Sequence, residues 1–214
     1  MKLSRSGESG FSLLEVLVST VVVAVGVLGF LALQVSAINS NQNGYFRGQA
    51  TVVADDIIAR LRANRTYVGT LAASDANAYT AGNYNNCTAT PPGGRYCSVY
   101  TGKTMTDCDM EEAAAFDVWE ICRTLNPDAA LEPILPGGEL YIDCADQDTT
   151  DADACSSGSS YSVLVYWQGI AERTDVGQTN IALNTRCLNY GLAKAGKTAA
   201  ELAELDCLIM DIVP

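Results

Sequence analysis

The stretch that decides the fold is FSLLEVLVSTVVVAVGVLGFLAL, residues 11–33. It is long enough to cross a bilayer as a helix, which needs about 20 apolar residues. A short polar segment, MKLSRSGESG, precedes it and contains two basic residues, Lys2 and Arg5. Basic residues stay on the cytoplasmic side of such a segment, so the long C-terminal portion is expected outside the cytoplasm.

Two features of this stretch do not fit an ordinary export signal or a plain signal anchor. A secretory signal has its small-residue cleavage site after the apolar run, whereas the small residue here, Gly10, comes before it. Glu15 lies within the apolar run, where an ionised carboxylate costs about 3 kcal/mol. We therefore expect a positive partner for Glu15.

Residues 10–16, GFSLLEV, resemble the cleavage motif of type IV pilins. The resemblance implies that a prepilin peptidase cuts on the cytoplasmic face between Gly10 and Phe11 and methylates the new amine of Phe11. It also implies the missing partner, because Glu15 can pair with the Phe11 amine of a neighbouring subunit as the helices stagger into a filament. The implied partners are the prepilin peptidase, the inner membrane, and other minor and major pilins through the N-terminal helix.

Beyond the apolar run the chain is polar but keeps a helical pattern as far as residue 65. Apolar residues repeat there at intervals of seven and then of four: Ile38, Tyr45, Val52, Val53, Ile57 and Leu61. This spacing is typical of a helix with one apolar face. The expected organisation is a leader over residues 1–10, a helix over 11–65 that is apolar over 11–33, and a head over 66–214 onto which the outer half of the helix packs.

The head pattern mixes helices and strands. Thr106 or Asp107 is expected to cap a second helix that Asn126-Pro127 ends. Strands are predicted over 138–144, over 160–168, where inward and outward residues alternate, and more weakly over 179–188. Thr198 and Glu201 predict a capping box for a short helix over 198–206. The charged tail residues are expected on its exposed face: Lys194, Lys197, Glu201 and Glu204. The predicted class is α+β, a long helix packed on a small antiparallel sheet, with a C-terminal tail tethered by a disulfide.

Eight cysteines without a C-x-x-C pair indicate disulfides in an exported chain rather than a zinc or redox motif. They are Cys87, Cys97, Cys108, Cys122, Cys144, Cys155, Cys187 and Cys207. In one helix over 107–125, Cys108 and Cys122 would lie about 21 Å apart along the axis, and a disulfide needs Cα atoms within about 7 Å. Cys108 is therefore expected to pair upstream, with Cys97 or Cys87, and the other of these with Cys122. Of the two arrangements we favour Cys97–Cys108 with Cys87–Cys122. Cys144–Cys155 and Cys187–Cys207 are also expected, because each would close a single loop next to a predicted strand.

Charge and composition argue against several functions. Thirteen basic and 25 acidic residues give a net charge of −12, which would repel nucleic acid. The chain has no histidine, so it lacks the usual general base and the commonest zinc ligand, and we predict no catalytic role and no metal site. Calcium is the one cofactor that the sequence could suggest, at an acidic loop. The candidate loop carries Asp143, Asp146, Asp148, Asp151 and Asp153 but lacks the glycine and glutamate of an EF-hand, which favours a solvated acidic loop.

Three head segments in order resemble the minor pilin PilV family of type IV pilus modification proteins: AAAFDVWE at 113–120, LPGG at 135–138 and VLVYW at 163–167. The resemblance implies a minor pilin that primes or modifies pilus assembly, anchored once in a bacterial inner membrane with its head in the periplasm and then incorporated in a surface pilus. Alternatives are a minor pseudopilin of a type II secretion system, an adhesive or ligand-binding head carried on a pilus, and a membrane-tethered hydrolase, which the missing histidine disfavours. The resemblance covers the chain up to about residue 170 and implies nothing about the tail that carries Cys187 and Cys207.

Overall fold

The computed structural model describes residues 12–71, 77–80, 88–100, 102–127, 133–148, 150, 155, 157–169 and 185–214. The chain divides into two compact units, Met1–Gln42 and Asn43–Pro214. The helices are α1 (Leu13–Ala63), α2 (Arg65–Gly69), α3 (Met110–Leu125), α4 (Thr185–Ala193) and α5 (Ala199–Ala203), and a single 3₁₀ turn covers Pro92–Gly94. The strands are β1 (Glu139–Ala145), β2 (Ser160–Gln168) and β3 (Leu205–Ile212). The predicted α+β class is confirmed.

Helix α1 confirms the long N-terminal helix, but its predicted apolar stripe is only half right. The members at spacing four are buried in the head core together with three neighbours: Ala50, Val53, Ala54, Ile57, Ile58 and Leu61. The members at spacing seven are not, since Ile38, Tyr45 and Val52 are 56%, 59% and 63% exposed. At about 100° per residue the two sets occupy different sides of the helix. A helix packed on one side of a head cannot bury both.

The three strands form one antiparallel sheet in the order β1-β2-β3, with Ile142 opposite Val163 and Val163 opposite Met210. The first two predicted strands are confirmed. The third is wrong: residues 185–188 of the predicted strand begin α4, residues 179–184 lie outside the described part, and the third strand is β3 in the tail. Cys187 and Gly191 are buried at helical spacing, which explains α4. Both faces of β3 contact apolar residues, so its sequence shows no alternation that would announce a strand.

The sheet is covered on both faces. The inner face packs against α1 and α3 through a set of β2 residues, Tyr161, Val163, Val165 and Trp167. The outer face packs against α4 and α5 through Tyr141, Leu164 and Tyr166. Strand β2 is therefore almost wholly buried, as the central strand of a two-sided layer must be.

The boundaries of two predicted helices change. Helix α3 starts at Met110 with Asp109 as its cap, because Asp109 and Glu112 form a capping box, so Thr106 and Asp107 were the wrong candidates. The Thr198–Glu201 capping box is confirmed, but α5 ends at Ala203, since Leu205 already pairs with Gln168. Lys197 precedes α5 and is not on its exposed face, because its side chain is only 11% exposed and contacts Glu139.

Three predicted disulfides are confirmed. Cys97–Cys108, Cys144–Cys155 and Cys187–Cys207 have Cα–Cα distances of 5.6, 6.1 and 6.3 Å. Cys122 is disulfide-bonded, and Cys87, the partner that we predict for it, lies outside the described residues. The helical separation of Cys108 and Cys122 is thus consistent with the bonds that form.

Candidate assembly segment

The first turn of α1 begins at Ser12, whose carbonyl oxygen accepts hydrogen bonds from the backbone N–H of Glu15 (2.9 Å) and of Val16 (3.3 Å). The hydroxyl groups that follow are satisfied by the helix itself. Ser19 donates to the carbonyl oxygen of Glu15 at 2.6 Å, and Thr20 donates to that of Leu17 at 2.9 Å. These hydroxyls can therefore enter an apolar environment without losing a partner. Gly10 and Phe11, the predicted processing residues, lie outside the described residues.

The apolar part of α1 is exposed on every side. Its large side chains are 49–82% exposed between Leu13 and Leu33. Its most apolar 18-residue window has a mean hydropathy of 2.7, so α1 is long and apolar enough to cross a membrane. None of that window is buried by the described residues. A helix that is apolar all round requires lipid or other helices as its surroundings. The segment thus fits a membrane anchor that also offers a surface for other helices.

Glu15 is the single charged residue among residues 12–33. Its side chain is exposed and makes no ion pair with the described residues. It lines a shallow surface groove with Val16, Ser19, Thr20 and Val23. Its place in the first turn favours a negative charge, because the backbone N–H groups there carry partial positive charge. That contribution is smaller than the cost of a carboxylate in lipid, so Glu15 in a membrane requires a cation that the described residues do not supply.

At the head end of α1, Arg60 joins the helix to α3. Its guanidinium contacts Asp117 at 2.9 Å and Glu120 at 2.7 Å, and on its own helix it contacts Asp56 at 3.0 Å. The hydroxyl of Tyr79 donates to Asp117 at 3.1 Å. Burial raises the pKa of Asp117 above its ordinary value, although the hydrogen bond and charge of Arg60 oppose that shift. This network was not predicted from the sequence. The one sequence feature that could have indicated it is the position of a basic residue, Arg60, between the apolar positions Ile57 and Leu61 of the buried helix face.

Two family models match adjacent parts of the chain. Residues 5–31 match the prokaryotic N-terminal methylation motif, and residues 32–119 match the Tt1218-like family, described as type IV pilin Tt1218. Together they run from the polar leader through most of α3. The chain belongs to the type IV pilin family. Neither of the two matches is to PilV, and no curated protein and no solved structure matches this pilin significantly.

The side chain of Trp119 is packed inside the head, as expected of a residue with a structural role. Trp119 is 5% exposed and stacks with Tyr96, Tyr100 and Phe116 at ring-centroid distances of 5.4–5.9 Å. Its indole N–H donates to the carbonyl oxygen of Thr88 at 2.9 Å. The side chain is buried in the head and presents no open face to a ligand.

The acidic loop of the pilin does not bring its described carboxylates together. Asp143 is bound by the ammonium of Lys194 at 2.6 Å, Asp146 accepts from Ser159 at 3.0 Å, and Asp148 accepts from the backbone of Thr150 at 3.0 Å. Within the described part of the chain, no group of three or more acidic, cysteine or histidine side chains is arranged so that it could hold a metal ion. Asp151 and Asp153 lie outside that part. A solvated acidic loop without a bound metal stays the prediction, with calcium as its alternative.

Proposed function

We propose that this pilin is a minor pilin that primes or modifies the assembly of a type IV pilus. The observation that carries the proposal is Glu15, one uncompensated carboxylate in an exposed apolar helix that follows a methylation motif. The PilV-like order of the segments at 113–120, 135–138 and 163–167 supports the minor-pilin assignment within the family.

The proposed maturation is a cut by the prepilin peptidase after Gly10 and methylation of the amine of Phe11. Methylation keeps that amine positively charged, so it can serve as the cation that Glu15 lacks. Two opposite charges shielded by lipid and protein attract each other far more strongly than the same pair in water, and salt screens them little. Pairing of Glu15 with the Phe11 amine of a neighbour would set the stagger between adjacent helices.

The proposed location follows from the same segment. Lys2 and Arg5 hold the leader on the cytoplasmic side, where the peptidase acts. Residues 13–33 cross the inner membrane once, and the disulfide-braced head lies in the periplasm, an oxidising compartment. Assembly then draws the pilin into a surface filament with other minor and major pilins.

Substitution of Glu15 by Val tests this proposal. The variant should still insert, because its anchor is more apolar, and should still be cut after Gly10. It should crosslink poorly to other pilins and support fewer surface pili. Ser19→Val, which changes a neighbouring polar residue without removing the charge, is the matched control and should assemble normally. Wild-type pilus number and crosslinking in the Glu15 variant would refute the mechanism.

The identity of the crosslinked partners separates the two structural alternatives. Mass spectrometry should find pilus subunits if the proposal is correct, and secretion-system pseudopilins if the chain belongs to a type II secretion system.

A further inference from the structure

The segment from Thr185 to Glu204, here called the strap, lies across the outer face of the sheet. It consists of α4, a short connection and α5. Leu202 is 1% exposed against Leu164 and Tyr166, and Tyr190 packs edge-on against Tyr141 with ring centroids 5.8 Å apart. The strap and the sheet thus enclose a small apolar cluster of their own.

Two links join the strap to the edge strand β3. The disulfide Cys187–Cys207 is the first. The second is an ion pair in which the guanidinium of Arg186 contacts both carboxylate oxygens of Asp211, at 2.6 and 2.8 Å. In addition, the hydroxyl of Tyr166 in the central strand donates to the carbonyl oxygen of Cys187 at 2.7 Å.

Two further links join the strap to the opposite edge strand, β1. The ammonium of Lys194 lies 2.6 Å from Asp143, and that of Lys197 lies 2.7 Å from Glu139. The connection between α4 and α5 turns at Gly196, whose φ of +66° suits glycine. The strap is therefore fastened along both edges of the sheet and passes over β2 between them.

The disulfide is the dominant fastener. The side chains of the Arg186–Asp211 pair are 55% and 44% exposed and those of the Lys194–Asp143 pair 54% and 30%, and ion pairs at such sites contribute little. Only the Lys197–Glu139 pair is largely buried, at 11% and 17%. Cys187–Cys207 spans a sequence separation of 20, and closing a loop of that size shifts an opening equilibrium by about 10²-fold.

The larger hydrophobic core, on the inner face of the sheet, contains no residue of the strap. Tyr161, Val163 and Val165 belong to a separate and larger cluster that includes α1 and α3, and β3 contributes Leu208, Met210 and Ile212 to that cluster. Opening of the strap would uncover Tyr141, Leu164 and Tyr166 while β2 stays paired with both neighbours. The outer cluster and the inner core can therefore open separately.

We propose that the strap is a redox-locked cover, closed by Cys187–Cys207 and released when that bond is reduced. A dithiol reductant supplies two electrons and two protons; the S–S bond breaks, Cys187 and Cys207 become thiols, and the reductant becomes a disulfide. The open strap exposes a second apolar surface on a head that is otherwise folded. Oxidation outside the cytoplasm would close it before the pilin enters a filament.

Hydrogen–deuterium exchange with mass spectrometry on the full chain in detergent tests the lock. The double variant Cys187→Ser/Cys207→Ser should exchange the amides of α4 and α5 about 10²-fold faster than wild type, whereas amides in the centre of β2 should keep wild-type rates. The double variant Cys97→Ser/Cys108→Ser removes another disulfide of the same head and should leave strap exchange unchanged.

Two outcomes would overturn the proposal. In the first, strap exchange in the variant stays within a few-fold of wild type, so that packing and ion pairs hold the strap without the disulfide. In the second, strap and β2 accelerate together, so that the disulfide stabilises the whole head. If the variant does not accumulate in cells, the same comparison is made on wild-type chain before and after reduction with tris(2-carboxyethyl)phosphine, with the Cys97→Ser/Cys108→Ser variant reduced in parallel.

Discussion

Replacement of Arg60 by Met should destabilise the head more than most single substitutions do. The guanidinium lies within 3 Å of Asp117 and Glu120, and the three side chains are only 24%, 21% and 27% exposed. Without Arg60, two largely buried carboxylates lose their cationic partner, and Asp117 keeps only the neutral hydroxyl of Tyr79 among the contacts described above. Removing one member of a fully buried ion pair costs about 3–5 kcal/mol; since water still reaches this site, we expect a loss of about 3 kcal/mol in the free energy of unfolding.

The loss can be measured by urea unfolding of the full chain in detergent, monitored by tryptophan fluorescence. The chain has two tryptophans, Trp119 and Trp167, and both are buried in the head at 5% and 3% exposure. Their emission therefore reports on the head and not on the membrane segment. The matched control is Arg95→Met. Arg95 also pairs with a carboxylate of α3, Glu112, at 3.1 Å, but its side chain is 50% exposed. Its loss should stay below about 1 kcal/mol.

The pH dependence of the Arg60→Met deficit gives a second criterion. Burial already raises the pKa of Asp117 despite the opposing effect of Arg60, and loss of that cation raises the pKa further. A carboxyl whose pKa is higher in the folded than in the unfolded state destabilises the fold as pH rises through those values. The deficit should therefore be largest near pH 7 and shrink toward pH 4. A deficit below 1 kcal/mol at pH 7, or an equal one at both pH values, would refute the reasoning.

Three further predictions concern other parts of the chain. The mature chain should begin with methylated Phe11, and mass spectrometry of the membrane-extracted protein that finds Met1 instead would contradict this. Asp211→Asn should lower stability by up to about 1 kcal/mol above pH 4. The hydrogen bond from Arg186 lowers the pKa of Asp211 to about 2, so the difference should vanish as pH falls toward 2 in unfolding curves. Calcium, if it binds, should use the acidic loop; calorimetry in which Asp148→Ala/Asp151→Ala leaves the heat of binding unchanged would exclude that loop.

Features with a local signal could be read from the sequence. The apolar helix, strands β1 and β2, the end of α3 and the capping box at Thr198 depend on residues within one element or its ends. The upper limit on the length of a disulfide excluded Cys108–Cys122 but did not choose between Cys97 and Cys87 as the partner of Cys108. The assembly candidate Glu15 was equally visible, because a charge inside an apolar run stands out without knowledge of the fold.

Features that depend on which surfaces meet were beyond the sequence. Ile38, Tyr45 and Val52 have the same helical periodicity as a packing stripe, and only the position of the head shows that α1 buries a different side. The contacts of Arg60 with Asp117 and Glu120, and the Lys197–Glu139 pair, join residues 57–60 positions apart, so no local pattern in the sequence predicts them.

The sequence by itself determined the anchor, the processing motif and the α+β class of this pilin, because hydrophobic length and periodicity act within single segments. The tertiary structure alone decided that the tail supplies the third strand of the sheet. Strand β3 is apolar on both faces and becomes recognisable only beside β2, and α4 packs on Tyr141, Leu164 and Tyr166 of the outer face. Burial of both faces of β3 removes the alternation that marks a strand, and the surface that a helix covers is set by residues distant in the sequence.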